Sequence, residues 1–369
     1  MDLAPRRRGH TADLAAAHAS RWADQGDAET AGKLAELALE LLPDHAAARL
    51  ALARAALIGG RHQEAAALAR RLLEQEQLRA GALEVLGRAS METGDMESAE
   101  RHFRALAEAL PNASTGPCWL GVCLFRQGDY KEAVAHLRVA YERNPEPRVS
   151  AALLDALIRA EDWDHALVLA DEQIARPEAP ARAIGWAYKA GVHRARGELP
   201  QSVEAYRKAM EAQPDRTAYS LAAADLLIDL GEHERARGIL ESSAQRAPDH
   251  RVLRFKRGYL AQLMGEAETA SVLYRGLLAD FPDWAVVMVN LSELLGAGDE
   301  TREEAVQMAS RAADLTPRWQ VAQWNLAQRA MEAGDPDRAR QAARQVLEIS
   351  PDHADARALL AELDQQAQR

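Results

Sequence analysis

The chain has little with which to do chemistry. Of its 369 residues two are cysteine, aromatic side chains make up 5%, and nothing approaches the run of about 18 apolar residues that crosses a bilayer. Cys118 and Cys123 stand five apart in a helical pattern, about 140° apart around the axis, so they neither pair nor share a metal ion. Inert thiols in a reducing compartment fit that usage. There is no GxxxxGK[ST] phosphate loop, no HExxH, no GxSxG and no Cys-x-x-Cys. The eleven histidines are scattered: His45, His250 and His353 recur just past a Pro-Asp pair, and His62, His165 and His233 fall at or just after turns. No acidic pair stands out from solvated helix faces. The chain therefore reads as a non-enzyme, with no cofactor and no metal site. A net charge of −11 leaves no general basic face for phosphates and argues against nucleic acid. The N-terminal MDLAPRRRGHTADLAAAHASRW has three arginines, but His10, Thr11, Asp13 and His18 interrupt any signal-type apolar run; a cytoplasmic location is expected.

What the chain does have is alanine and repetition. The stretch ETGDMESAERHFRALAEALPNA (92–113) returns thirty-four residues on as QGDYKEAVAHLRVAYERNPEP, with the same spacing of Gly-Asp, small residue, large apolar residue and proline. GELPQSVEAYRKAMEAQPD (197–215) and GEAETASVLYRGLLADFPD (265–283) keep the layout with Glu for Asp. Each unit reads as two helices. Glycine accommodates the end of the first, the acid caps the second and suits its dipole, and proline closes it at 43, 111, 145, 214, 248, 282, 317 and 351. A small residue recurs where the helices cross: Ala31, 65, 99, 133, 166, 236, 270, 305 and 339, with Ser202 in the remaining unit. A larger side chain there would push the axes apart.

This pattern resembles the tetratricopeptide repeat, a family of 34-residue helix–turn–helix units. Repeat 3 matches its preferred residues with Leu86, Gly87, Ala99, Phe103 and Pro111. Repeat 4 matches with Leu120, Gly121, Ala133, Ala140 and Pro145, and repeat 6 with Trp186, Tyr206, Ala209 and Pro214. The resemblance implies an all-α, right-handed α-solenoid superhelix of ten repeats: 12–45, 46–79, 80–113, 114–146, 147–182, 183–216, 217–250, 251–284, 285–319 and 320–353. Repeats 1–5 fill 12–182 and repeats 6–10 fill 183–353, after a disordered basic arm over 1–11. A polar capping helix and tail occupy 354–369, as a solenoid end requires. Repeat 2 has Gln77 where proline is expected. Repeat 5 has Glu161 for the turn glycine and runs long through RPEAPARA (176–183), which reads as a kink in the stack or as a surface loop.

In this family the inner groove is lined by places 2, 5, 6, 9, 12 and 13 of each unit. By that resemblance repeats 2 to 6 turn inward Arg54, Arg88, Arg126, Arg159 and Arg194, with Arg148 beside them, and aromatic Trp119, Phe125 and Tyr188. These read as a guanidinium row gripping an acidic peptide, or as a solvated face that keeps the protein soluble. Glu84, Glu92 and Asp155 share the face. Repeats 8 to 10 turn inward Phe255, Lys256, Tyr259, Asn290, Glu293, Trp324, Asn325 and Gln328. Asn290 and Asn325 both hold the sixth place, where family members that bind extended peptides use an amide to donate to and accept from one peptide bond. The full residue set of the family's chaperone-tail clamp is absent. Trp186 reads as core.

The resulting expectation is an adaptor that holds a peptide or protein segment, acidic or extended, in the groove. Two other readings remain open. One is self-assembly into homo-oligomers through Trp22, Trp163, Trp284 and Trp319; the other is service to a separate enzyme such as a glycosyl- or sulfotransferase.

Overall fold

Alanine-rich sequence with a turn glycine in most of its 34-residue units folds as a train of short helices. The computed structural model describes residues 4–367, with side chains over 8–366. The chain divides into two blocks at Arg176/Pro177, inside the 176–183 segment and six residues before the boundary expected at 182/183. The first block holds α1 (Ala4–Asp24), α2 (Ala28–Leu41), α3 (Ala46–Ile58), α4 (His62–Arg70), α5 (Glu76–Glu92), α6 (Met96–Ala109), α7 (Thr115–Gln127), α8 (Tyr130–Arg143), α9 (Pro147–Arg159) and α10 (Trp163–Ile174). The second holds α11 (Ala179–Ala195), α12 (Leu199–Ala212), α13 (Thr217–Asp229), α14 (His233–Arg246), α15 (Arg251–Leu263), α16 (Ala267–Asp280), α17 (Ala285–Gly296), α18 (Arg302–Leu315), α19 (Gln320–Glu332), α20 (Pro336–Ile349) and α21 (Ala354–Ala367). Within each block a helix packs on its chain neighbours, and first helices of successive repeats also meet, as α1 on α3 and α17 on α19. This is an α-solenoid of helical hairpins.

The turn inside each repeat explains the glycine. Gly128 ends α7 at φ 92°, and the next amide, Asp129 N–H, donates to Leu124 O at 3.0 Å, which satisfies a carbonyl the helix would leave open. The same arrangement stands in repeat 5, where Asp162 N–H reaches Leu157 O at 2.9 Å, but the left-handed position is held by Glu161 at φ 58°. Repeat 9 solves the turn differently, with a 3₁₀ turn over Asp299–Thr301 taking up its extra residue.

The acids after the turn divide in two. Asp27, Asp95 and Asp335 cap by accepting from Thr30, Ser98 and Arg338 amides at 2.9–3.0 Å. Asp129, Asp162, Glu198, Glu232 and Glu266 make no side-chain cap bond, which corrects the expectation for them. In Asp162 both oxygens are taken by His165 at 2.7 and 2.9 Å, and glutamate carries an extra methylene. All the acids still favour the positive end of the helix dipole.

The crossing seams are as tight as the sequence suggested. Ala99, Ala133, Ala166 and their equivalents are fully buried. A Cβ at Gly87 would overlap the Phe103 ring, and one at Gly121 would lie 2.5 Å from Leu137 Cγ. Ser202, the exception among the small residues, is buried and donates to Ala190 O at 2.7 Å. Trp186 is half-buried and packs with Ala183, Ala209 and Tyr219, as a core residue.

Two boundaries differ from expectation. The arm expected to be disordered over 1–11 is helical from Ala4, as arginine and alanine are both strong helix formers; residues 1–3 lie outside the described residues. Without a proline at 77 to delay it, α5 begins at Glu76 and runs for 17 residues.

Candidate partner-binding surfaces

In the first block, Trp119 on α7 is the centre of the expected arginine face. Its indole is half-buried and stacks on buried Phe103, ring centroids 5.9 Å apart and planes 12° apart. Two guanidiniums lie over the same indole: Arg88 from α5, with Cζ 4.8 Å from the centroid, and Arg148 from α9, at 4.4 Å. Each such contact is worth about 0.5–2 kcal/mol, depending on exposure. A guanidinium held over a ring face has five N–H donors, more than the ring engages, with which to meet an oxyanion. Arg88 makes one long contact to Glu84 at 3.3 Å, while exposed Arg148 has no ion pair among the described residues.

The rest of the row is partly engaged within the fold. Arg126 donates to Glu92 at 3.0 Å, and Arg159 donates to the Tyr130 hydroxyl at 2.7 Å with Cζ 5.0 Å from that ring. Phe125 meets the Tyr130 ring edge-on at 5.4 Å. Arg159, Tyr130 and Lys131 line an open cleft of about 500 Å³ beside the turns of repeats 4 and 5. Arg54 is half-buried on α3. Tyr188, half-buried, and Arg194, exposed, lie on α11 in the second block.

In the second block the structure brings most of the expected residues together, but largely facing one another. Phe255 is half-buried, with ring centroids 5.5 Å from Trp284, 6.2 Å from Tyr274 and 6.3 Å from Tyr259. Lys256 is held by Asp225 at 2.6 Å. Asn290 donates to the Tyr274 hydroxyl at 3.2 Å, and that hydroxyl donates to Gln262 Oε1 at 3.0 Å. Burial pushes the Tyr274 phenol up to about 12, so it remains a donor at any working pH. Gln262 also donates to Glu293 at 3.4 Å; desolvation raises that carboxyl above the usual glutamate range, although the residue as a whole is exposed.

Asn325 corrects the expectation placed on it. Its side chain is buried at 3% exposure, and its carbonyl accepts from the Ser292 hydroxyl at 2.6 Å. The amide nitrogen is enclosed without a partner, so the group does not face a groove as a free amide. Trp324 is half-buried and packs on His353 with centroids 4.9 Å apart, while Gln328 is exposed.

Sequence reasoning put Glu92 on the arginine face without pairing it to Arg126, and missed the internal partners Tyr130, Tyr274 and Ser292. Two carried a signal. Ser292 stands at the place where Gly87 and Gly121 stand in their repeats, and a hydroxyl in that seam has to find an acceptor. Tyr274 takes the place of Phe103, and its added hydroxyl needs the same.

Family profiles described as tetratricopeptide repeat match residues 16–78, 64–117 and 84–147, residues 122–254, and residues 330–369. The chain belongs to the tetratricopeptide repeat family. Among solved structures, yeast Tom70 is similar with a TM-score of 0.53 and 13% identity over 97% of this chain and 90% of that one. Pseudomonas aeruginosa pilF gives a TM-score of 0.42 at 20% identity over 57% and 95% of the two chains. YrrB, described as a tetratricopeptide protein with an unusual peptide-binding site, gives 0.42 at 14% over 53% and 97%. At 13% identity the likeness to Tom70 is one of fold. No curated protein matches the chain. Among the described residues no helix is long and apolar enough to cross a membrane, and no group of three or more His, Cys, Asp or Glu is placed to hold a metal ion.

Proposed function

We propose that the protein is a non-enzymatic scaffold that holds an acidic segment of a partner protein against the first helices of repeats 3 to 5. The observation carrying this reading is the convergence of Arg88 and Arg148, from α5 and α9, on the single indole of Trp119. Two guanidiniums over one ring, with a 3.3 Å contact from Glu84 as the one ion pair they make among the described residues, favour a bound carboxylate. Trp119 in this reading is a plate that orients guanidiniums, and the partner's carboxylates meet their edges. The second block supports a subsidiary contact through Phe255 and Tyr259, whose outer sides extend the aromatic cluster. A cytoplasmic location is part of the proposal, supported by Cys118 and Cys123, which are buried, unpaired and pushed toward the protonated thiol by desolvation.

The test is anisotropy titration of the full chain against labelled extended peptides, one set carrying clustered Asp/Glu and one carrying the corresponding amides. Acidic peptides are expected to bind, more weakly as salt rises, and Arg88→Glu with Arg148→Glu to lose at least about tenfold in affinity. Equal binding of acidic and amide peptides, or of the double variant, overturns it.

A further inference from the structure

The core fixes Trp119 before any partner arrives. Phe103 of α6 is fully buried and fits so closely against Gly87 that a Cβ there would overlap its ring. The indole stacks on that phenyl with planes 12° apart. Arg88 and Arg148 come to the indole from repeats on either side of it. Their Cζ atoms lie 4.8 and 4.4 Å from one ring centroid, so they stand at most about 9 Å apart.

The carboxylates near them in the chain are engaged. Glu84 makes the 3.3 Å contact to Arg88, and Glu146, two residues before Arg148, accepts from Asn144 Nδ2 at 2.6 Å. Glu92 is taken by Arg126 at 3.0 Å. Two guanidiniums, each with five N–H donors, therefore converge on one spot. A carboxylate has two oxygens, which a single guanidinium fork meets side by side. A phosphoryl group brings close to two negative charges and three acceptor oxygens on one phosphorus, enough for both forks at once.

We propose that the group seated between Arg88 and Arg148 is the phosphoryl group of a phosphorylated serine or threonine in the partner segment. This rests on the acidic-segment reading above and goes further by naming the anion. One guanidinium donates to two of the phosphoryl oxygens and the other to the third, at about 2.7–2.9 Å. The contact from Arg88 to Glu84 is longer than these and is the one exchanged. Two glutamates two residues apart in an extended segment also put a carboxylate on each arginine, but they order two side chains to do it.

Four forms of one labelled peptide sequence decide the matter, titrated against the full chain by anisotropy. They carry serine, glutamate or phosphoserine at the central position, or glutamate both there and two residues on. The phosphoserine form is expected to bind about tenfold tighter than the single-glutamate form and tighter than the paired one. If the glutamate peptides bind and phosphoserine adds nothing, the acidic-segment reading stands and this inference falls. If no charged peptide binds, both fall. Arg148→Lys keeps the charge but not the planar fork, so it is expected to narrow the phosphoserine-to-glutamate ratio to about threefold or less. An unchanged ratio overturns the proposal. Inorganic phosphate is expected to bind at least about tenfold more weakly than the phosphoserine peptide, since the rest of the segment adds contacts. Binding as tight as the peptide's makes this a site for the free anion and overturns the proposal as well.

Discussion

Replacing Glu161 with glycine is expected to stabilise the first block. Glu161 sits at φ 58°, where every other turn of this type has glycine, and its exposed side chain makes no ion pair among the described residues. A non-glycine residue in the left-handed region costs about 1–2 kcal/mol. Glycine gives back about 0.5–1 kcal/mol because its unfolded chain is freer. The difference leaves Glu161→Gly about 0.5–1 kcal/mol more stable. The local bonds that hold the turn, Glu161 N–H to Ile158 O at 3.2 Å and Asp162 N–H to Leu157 O at 2.9 Å, are backbone bonds and survive the change. Hydrogen exchange of α9 and α10 is the appropriate assay, since repeat arrays open locally. Protection there is expected to rise about two- to fivefold, with α2 and α3 unchanged. Glu161→Ala, which keeps the left-handed strain, serves as control and is expected to change protection by less than a factor of two or so. A fall, or no change, in the glycine variant would refute the strain argument.

Gly87→Ala forces a methyl into the buried Phe103 ring and is expected to cost about 1–3 kcal/mol, with part returned by Phe103→Leu in the same chain; urea unfolding measures both. Ser292→Ala leaves the Asn325 carbonyl buried without its donor and is expected to cost about 1–3 kcal/mol in the second block, by the same measurement. Burial lowers the imidazole pKa of His102 and, at the equivalent place one repeat on, His136. The folded state therefore binds these protons less readily than the unfolded chain. Their contribution is fully present above the ordinary imidazole range and is lost as pH falls through about 6.5. His102→Gln with His136→Gln is expected to flatten the melting temperature of the first block between about pH 7.5 and about pH 5.5.

The repeat made the fold legible because each brick states its own geometry: glycine where φ is positive, a small residue where helices cross, proline where a helix stops. The same logic covered Trp186 and Ser202. The candidate surface was less legible, because place within a repeat says which way a side chain starts and not what it finds. Asn325 starts toward the groove and is captured by Ser292, one repeat earlier. Arg126 starts there and meets Glu92, thirty-four residues back. Such pairings depend on how far neighbouring first helices approach one another, which a 34-residue pattern leaves unstated. His45 and His250 were noticed as a recurrence, but that their rings accept the Ala48 and Leu253 amides and so cap α3 and α15 needed the direction of the ring.

The Ser292–Asn325 bond has a consequence for how repeats 9 and 10 are aligned. Apolar side chains such as Leu291 and Ala327 make contacts that have no direction of their own, so they alone do not mark one alignment of α17 on α19. A hydroxyl and a carbonyl sealed in that interface tolerate a single alignment, since one turn of slippage would strand both in a dry, oxygen-poor seam. The pair works as an index mark, and the joint between α17 and α19 is thereby given one stop.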